Sequence, residues 1–140
     1  MGMKQIKVEL IDHDISYAAG FLEADGCIHL TNSGVAVRVT NRNLAVLNWF
    51  QDKFKGRVRE KVIPKNCYEW NVFGEEAIEF LQYVYPFLIF KKPQADILFE
   101  FRSTLHTKGK KLPEDTKTKR KQLLTRMKKE KDQWRENKLK

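Results

Sequence analysis

The chain has 140 residues, enough for one compact domain that buries roughly two-thirds of the surface of its unfolded chain. Its hydrophobic fraction of 41% is that of a folded protein, and no apolar run approaches the ~18 residues of a membrane span, so we expect no membrane insertion. Residues 1–10 lack the apolar stretch of a secretion signal, and we therefore expect an intracellular protein, in a cytoplasm or an organelle.

The positive charge is concentrated at the C-terminal end. The net charge is +9, and the sequence pI is about 9.6. Residues 1–106 contain 13 basic and 13 acidic residues, whereas residues 107–140 contain 14 and 5. We accordingly divide the chain into a body, 1–106, and a basic, mostly helical C-terminal extension, 107–140. Such a surplus suits a polyanionic partner, although Lys-rich ends can also serve solubility alone.

Cys27 and Cys67 are the only cysteines. One disulfide between them is conceivable, but an intracellular location favours two free thiols. Because no histidines accompany them at metal-ligand spacing, they do not predict a zinc site.

The first predicted element is a helix over residues 11–24, where apolar residues recur at helical spacing. Asp12 or Asp14 is available as its N-cap, and Gly26 is suited to a left-handed residue at its end. The next two segments alternate like strands around the tight turn Asn32-Ser33-Gly34.

The remaining elements follow from alternation, helical spacing and turn residues. We predict strands at 27–31 and 35–40, a helix at 44–55 closed by Gly56, strands at 57–63 and 67–73, helices at 75–84 and 93–105, a link at 107–111, and a Lys-rich helical stretch from 112 to 140. This order predicts an α+β fold with helices on one face of an antiparallel sheet, so that the other face is left for a partner.

The most specific string is Ala19-Gly20-Phe21-Leu22-Glu23-Ala24-Asp25-Gly26. Ser16, Gly20 and Ala24 recur every four residues, which gives one helix face small enough for a second helix to approach closely. We therefore predict a dimer interface at Ser16, Gly20, Phe21 and Ala24. The acidic Asp25 at the helix C-terminus opposes the helix dipole by about 0.3–1 kcal/mol. Two Asp25 carboxylates brought together by such a pair would need cations or raised pKa values.

Residues 19–26 resemble the motif of the LAGLIDADG homing endonucleases, and the resemblance extends over about residues 15–105. It implies an αββαββα core whose antiparallel sheet forms a saddle, followed by C-terminal helices. Because one motif copy is present, it also implies a homodimer. Two departures from the family pattern are the very short first hairpin turn and the presence of Glu23 and Cys27 at positions that usually hold Asp and a small polar residue.

The resemblance also implies a metal site. Asp25, helped by the main-chain oxygen of Ala24, would bind Mg²⁺ or another divalent cation, which stabilises the phosphate and activates an attacking water. Order along the chain places Asn41 and Lys91 at the family's further catalytic positions, and the neighbours Arg42 and Lys92 could substitute for them. The earlier acid of the motif, Glu23, is mainly structural in this family.

Strand alternation predicts a polar, basic sheet face that could lie in the major groove of DNA. Its predicted DNA-binding residues are His29, Thr31, Arg38, Thr40, Arg57, Arg59 and Lys61. For the fourth strand, alternation leaves open whether Tyr68 and Trp70 or Glu69 and Asn71 face outward. A plain solvent-facing sheet would show a similar alternation, without the basic bias.

These observations lead to a hypothesis of function. We expect a site-specific homing endonuclease, typical of intron-borne genes, that cuts both strands of a long, partly palindromic double-stranded DNA target as a homodimer. One alternative is a maturase or a DNA- or RNA-binding regulator of the same fold that does not cut. Another is a protein-binding role for the Lys-rich extension, with the Ser16, Gly20 and Ala24 face as a simple dimer contact.

Overall fold

The computed structural model describes residues 11–104 and 113–138. The N-terminal segment 1–10 and the link at 107–111 lie outside the described residues. The elements in chain order are α1 (Asp12–Asp25), β1 (Gly26–Thr31), β2 (Gly34–Asn41), α2 (Leu44–Phe54), β3 (Arg57–Glu60), β4 (Tyr68–Phe73), α3 (Gly74–Val84), a 3-10 turn (Tyr85–Phe87), α4 (Lys92–Arg102) and α5 (Glu114–Lys138). This αββαββα order with C-terminal helices confirms the predicted α+β fold.

The four strands form one antiparallel sheet in the order β1-β2-β4-β3. The register aligns Cys27 with Arg38, Arg38 with Asn71, and Asn71 with Arg57, so these four residues form one row across the sheet. The two hairpins thus meet at β2 and β4, and β1 and β3 are the outer strands.

The core lies between the helices and one face of the sheet. It contains Ala18, Ala19 and Leu22 of α1, all fully buried, together with alternate strand residues such as Val37 and Val39. Under α2 and α3 the core is aromatic, with ring-to-ring contacts among Trp49, Phe50, Phe54, Trp70 and Phe80. Such ring pairs stabilise the core in addition to the large apolar area that each ring buries.

Both predicted end signals of α1 were wrong. Ile11 is the N-cap and makes no side-chain cap, and Asp12 and Asp14 lie in the first turn, where they suit the helix dipole. Gly26 is extended, with φ −106° and ψ 172°, and begins β1 directly. Glycine is needed at this position for space, because a Cβ would lie 2.5 Å from Leu22 Cδ1 and 2.7 Å from the Leu22 carbonyl oxygen.

The third strand is shorter than predicted, and the fourth strand has a defined orientation. β3 ends at Glu60, and Val62 and Ile63 are exposed in the loop before Pro64, which cannot donate to a strand ladder. In β4, Trp70 is fully buried in the core and donates from Nε1 to the Lys55 carbonyl at 2.7 Å. Glu69 therefore lies on the opposite, polar face, as its bond to Arg59 requires.

The described part of the C-terminal extension is helical, as predicted, and α5 packs against α4 and β1. Leu123 and Met127 of α5 are buried in the core. Arg126 makes two hydrogen bonds to Glu100 of α4, at 2.9 and 2.8 Å. The extension thus adds a packed element to the fold.

Two further expectations concern the state of the cysteines and membrane insertion. Both cysteines are free thiols, Cys27 half-buried and Cys67 buried. None of the described helices is long and apolar enough to cross a membrane.

The close approach at Gly26 gives a testable prediction. We expect Gly26→Ala to destabilise the fold by roughly 1–3 kcal/mol, because the added methyl group meets backbone as well as side-chain atoms of Leu22. Gly34→Ala is the control, since its Cβ position has no neighbour within 4 Å among residues 11–104 and 113–138. Chemical denaturation of both variants measures the difference, and equal midpoints would contradict the packing argument.

Candidate active site and nucleic-acid interface

Asp25 and Asn41 meet at the end of α1. Asn41 Nδ2 donates to Asp25 Oδ2 at 3.0 Å, and Asn41 Oδ1 accepts from the backbone N–H of Asn43 at 2.7 Å. Because the second bond fixes which end of the amide faces Asp25, the carboxylate has a defined donor. Asp25 is exposed, so its second oxygen is accessible to a ligand. Arg42, the suggested substitute for Asn41, instead donates to the Lys65 carbonyl at 3.4 Å.

Glu23 is buried two residues before Asp25. Its Oε2 accepts hydrogen bonds from the backbone N–H groups of Ile89, Phe90 and Lys91, at 2.7, 2.8 and 2.9 Å. Three donors on one carboxylate oxygen offset the cost of burying the charge. Glu23 therefore fixes the position of the segment that carries Lys91.

Lys91 is close to the same helix end. Its Nζ donates to the Glu23 carbonyl oxygen at 3.1 Å and lies over the rings of Phe90 and Trp134, 5.0 and 5.6 Å from their centroids. Burial lowers the pKa of the Lys91 ammonium; Cys27 and Glu23 offset part of this effect, and the charge of Lys131 adds to it. Lys92, the suggested substitute, lies instead over the Tyr85 ring at 5.3 Å.

The donors available for a metal are hard oxygens. Asp25 offers an exposed carboxylate, and Ala24, also exposed, is the residue before it. Oxygen donors of this kind suit Mg²⁺ or Ca²⁺ rather than zinc. Within the described part of one chain, no group of three or more His, Cys, Asp or Glu side chains is arranged to hold a metal ion. The donors of a single chain thus fit a hard cation but would fill only part of its coordination shell.

The polar sheet face contains all seven of the predicted DNA-binding residues, with unequal exposure. Arg57 and Arg59 are exposed on β3, and Lys61 lies one residue beyond its end with its Nζ 4.0 Å from a Glu69 oxygen. Thr31 is exposed beside the first turn, where its hydroxyl bonds to Ser33. His29, Arg38 and Thr40 are half-buried. The polar sheet face is thus basic and exposed along β3, and its residues on β1 and β2 are more buried apart from Thr31.

His29 is adjacent to several positive groups. Partial burial lowers the pKa of its imidazole, and the charges of Arg38 and Lys131 lower it further. At neutral pH the ring is therefore uncharged, so it can accept as well as donate a hydrogen bond.

Glu69 and Asn71 are part of this face, and the sequence alone did not assign them to it. Glu69 Oε1 accepts from Arg59 Nη2 at 3.0 Å and from Asn71 Nδ2 at 3.1 Å. Glu69 and Asn71 are both buried. Burial alone would raise the pKa of the Glu69 carboxyl, but the bonds from Arg59 and Asn71 and the charges of Lys61 and Arg38 outweigh it and lower the pKa. Arg59, Lys61 and Arg38 thus surround one ionised acid on this face.

The centre of the face also contains polar atoms without partners. Among the described side chains, Arg38 Nε and Asn71 Oδ1 are buried and make no hydrogen bond. These residues are directly opposite in the register of β2 and β4. A buried polar atom left unpaired costs about 1–3 kcal/mol, and such atoms are rare in folded proteins.

The small-residue face of α1 is free in the monomer. Ser16, Gly20 and Ala24 are exposed, and no atom of the described residues lies within 4 Å of a Cβ built on Gly20. Phe21 beside them is half-buried and contacts Phe50 of the core. The face predicted to meet a second helix is therefore accessible along its length.

Comparison with known proteins gives matches among solved structures. An archaeal intron-encoded homing endonuclease complexed with DNA, I-Vdi141I, is 25% identical, with a TM-score of 0.70 over 85% of this chain and 84% of its own. The homing endonuclease I-CvuI in complex with its target is 20% identical, with a TM-score of 0.61 over 80% and 95%. The homing endonuclease I-TnaI is 16% identical, with a TM-score of 0.64 over 91% and 98%. No protein-family model and no curated protein matches the sequence.

The fold and the motif at the end of α1 make this an α+β protein that resembles the LAGLIDADG homing endonucleases. The resemblance seen in the sequence is confirmed: the chain has the fold of the homing endonucleases I-Vdi141I, I-CvuI and I-TnaI. Its 140 residues and one motif copy agree with the single-motif members of that family.

The environment of Glu69 predicts a dependence of stability on pH. Because the pKa of its carboxyl is lower in the folded state, its contribution to stability is present at neutral pH and is lost as the pH falls through the folded-state pKa. We expect Glu69→Gln to cost roughly 1 kcal/mol at about pH 7, since exposure of Arg59 screens the pair, and less near pH 3. Glu79→Gln, at an exposed position of α3, is the control. Urea denaturation at both pH values measures the change, and a cost independent of pH would contradict this role of the carboxylate.

Proposed function

We propose that the protein is a site-specific homing endonuclease that binds double-stranded DNA and cuts both strands as a homodimer, using divalent cations. The observation that carries the proposal is the exposed Asp25 carboxylate, held by Asn41 at the end of α1 and close to Lys91, beside a sheet face rich in basic residues. The structural neighbours support it, since I-Vdi141I and I-CvuI were solved in complex with DNA.

DNA binding is assigned to the polar sheet face. Arg57 and Arg59 are exposed on β3, where guanidinium groups can reach base edges in the major groove and pair with guanine. Glu69 holds Arg59 from one side, so its guanidinium is oriented before DNA arrives. The basic extension adds contacts to the phosphate backbone, which contribute affinity without sequence information.

At the site of cleavage each residue has a distinct role. Asp25 and the main-chain oxygen of Ala24 would hold the cation, which when bound stabilises charge on the phosphate and favours the attacking form of water. Asn41 orients the Asp25 carboxylate and holds water beside it. Lys91 places a positive charge next to the scissile phosphate. Structures of I-CvuI obtained with Ca or Mg are in keeping with divalent cation use.

The incompleteness of the cation site in one chain supports the proposed homodimer. A single Asp25 supplies one carboxylate, while the exposed Ser16, Gly20 and Ala24 face allows a second α1 to approach closely. A twofold axis at this face would bring two Asp25 residues together, one for each DNA strand, and would favour a partly palindromic target. Residues 1–106 form the endonuclease domain in this proposal, and residues 107–140 form its basic extension.

The cleavage step is tested with Asp25→Asn. We expect the variant to lose at least roughly a hundredfold in cleavage rate while its DNA affinity stays within about twofold, because the cation site is lost and the sheet face is not. Cleaved sequences are first selected from a randomised DNA library with and without Mg²⁺. The exposed Asp52→Asn on α2 is the control and should cut like the parent protein. Binding by the parent protein without any cut would favour the maturase or regulator alternative.

The dimer is tested with Gly20→Leu. A bulky side chain on this face separates the two helices, so we expect self-association to weaken at least about tenfold with little change in the stability of the monomer. Thr125→Leu, at an exposed position of α5, adds the same kind of side chain away from this face. Sedimentation equilibrium of both variants decides: unchanged association of Gly20→Leu would place any dimer contact elsewhere.

A further inference from the structure

The face of α5 that packs against the body is apolar at first and carries a lysine further along the helix. Leu123 and Met127, one helical turn apart, are buried in the core. The next position on the same face, four residues on, is Lys131, followed by Trp134, and both are half-buried. An apolar residue at 131 would continue the packing, so the cation there is not explained by docking.

The position of Lys131 is fixed by contacts further back on α5. Arg120 donates to the carbonyl oxygens of Asn32 and Thr104, at 3.3 and 3.0 Å, and lies over the Phe101 ring. From Arg120 to Lys131 the helix rises roughly 16 Å, and from Asn32 back to Cys27 strand β1 spans roughly the same length. The helix therefore runs beside β1 in the opposite direction and brings residue 131 to the start of that strand.

At the start of β1, Lys131 enters the candidate site. Its Nζ lies 3.6 Å from Cys27 Sγ, two residues after Asp25. Its charge also acts on Lys91 and on His29. The Trp134 ring, one turn further, stacks on Phe90 at 5.7 Å. The last described turns of α5 thus form one wall of the site.

Two half-buried cations, Lys91 and Lys131, are gathered here, and the Glu23 carboxylate, which acts on Lys91, has its Oε2 bonded to three backbone N–H groups. In the described part of the chain, neither Lys91 nor Lys131 has a carboxylate within ion-pair distance, whereas Lys53, Arg102, Arg126 and Lys128 each do. Like charges held together in a partly buried place destabilise a fold unless an anion joins them. A phosphodiester group is an anion of the required kind, and the proposed function brings one to Asp25.

We propose that Lys131 is a second phosphate-binding cation of the active site, contributed by the C-terminal extension and acting beside Lys91. This inference rests on the proposed function. It gives α5 a part in the reaction itself, beyond the general attraction of a basic helix for DNA.

The test compares Lys131→Met with Lys128→Met in the full chain. Lys128 is exposed on the same helix and pairs with Asp132 at 3.4 Å, so its loss removes the same charge without touching the site. We expect Lys131→Met to lower the single-turnover cleavage rate at saturating protein by roughly ten- to hundredfold, and Lys128→Met by less than about twofold. Lys131→Arg, which keeps the charge, should restore most of the rate.

A stability measurement separates this role from a structural one. Because Met removes a charge that faces Lys91 and extends the apolar face of α5, we expect Lys131→Met to keep or raise the thermal midpoint while cleavage falls. A lower midpoint with a proportionate loss of cleavage would overturn the proposal, as would a cleavage rate equal to that of the parent protein.

Binding in metal-free buffer distinguishes failure of this inference from failure of the proposed function. We expect the salt dependence of DNA affinity to fall by about one counterion per protomer in Lys131→Met. If the parent protein binds DNA without cutting it, the endonuclease proposal fails, and a reduced slope still supports the phosphate contact. If the slope is unchanged, the phosphate contact is excluded. If the parent protein does not bind DNA at all, both proposals fall.

Discussion

The carboxylate of Glu23 ties the end of α1 to a segment 66 to 68 residues further along the chain, because its Oε2 accepts three backbone N–H groups there. A negative charge at a helix C-terminus is unfavourable, and burial adds to the cost, so these donors are needed for the side chain to remain in place. The same contact sets the position of Lys91, whose ammonium returns to the Glu23 carbonyl. The position of Lys91 beside the end of α1 therefore depends on one carboxylate oxygen of Glu23.

The two faces of the sheet differ in character, because one is apolar and packs into the core and the other is polar. Val37, Val39 and Trp70 pack into the core, while their neighbours Arg38 and Glu69 belong to the polar face. The polar face is more than a solvated surface, because Glu69 and Asn71 are buried within it and Arg38 Nε lacks a partner there. A network of this kind holds its charged groups in defined orientations, which suits recognition of a ligand with fixed geometry.

Local pattern predicted the elements well, and long-range contacts account for what it missed. Helical and alternating periodicity correctly indicated every helix and strand of the body, since each packs one face against the same core. Gly26 was misassigned because its role depends on Leu22 packing beneath it, and β3 ended early because Pro64 and the loop outweighed its alternation. The orientation of Glu69 required its partner on another strand. The role proposed for α5 does not follow from its local pattern, because Lys131 interrupts the apolar face and its partner Cys27 lies about a hundred residues away.

Because no loop separates α1 from β1, the position of Asp25 is coupled to the position of the β1 residues on the sheet. Asp25 ends the helix, Gly26 starts the strand, and Cys27 is already on the polar face opposite Arg38. On the proposed function, the distance between the cut bond and the bases read by β1 is built into the backbone and cannot be altered by inserting or deleting residues. Such a protein can acquire a new target by exchanging side chains on the sheet, while the spacing between Asp25 and the residues of β1 stays constant through every such change.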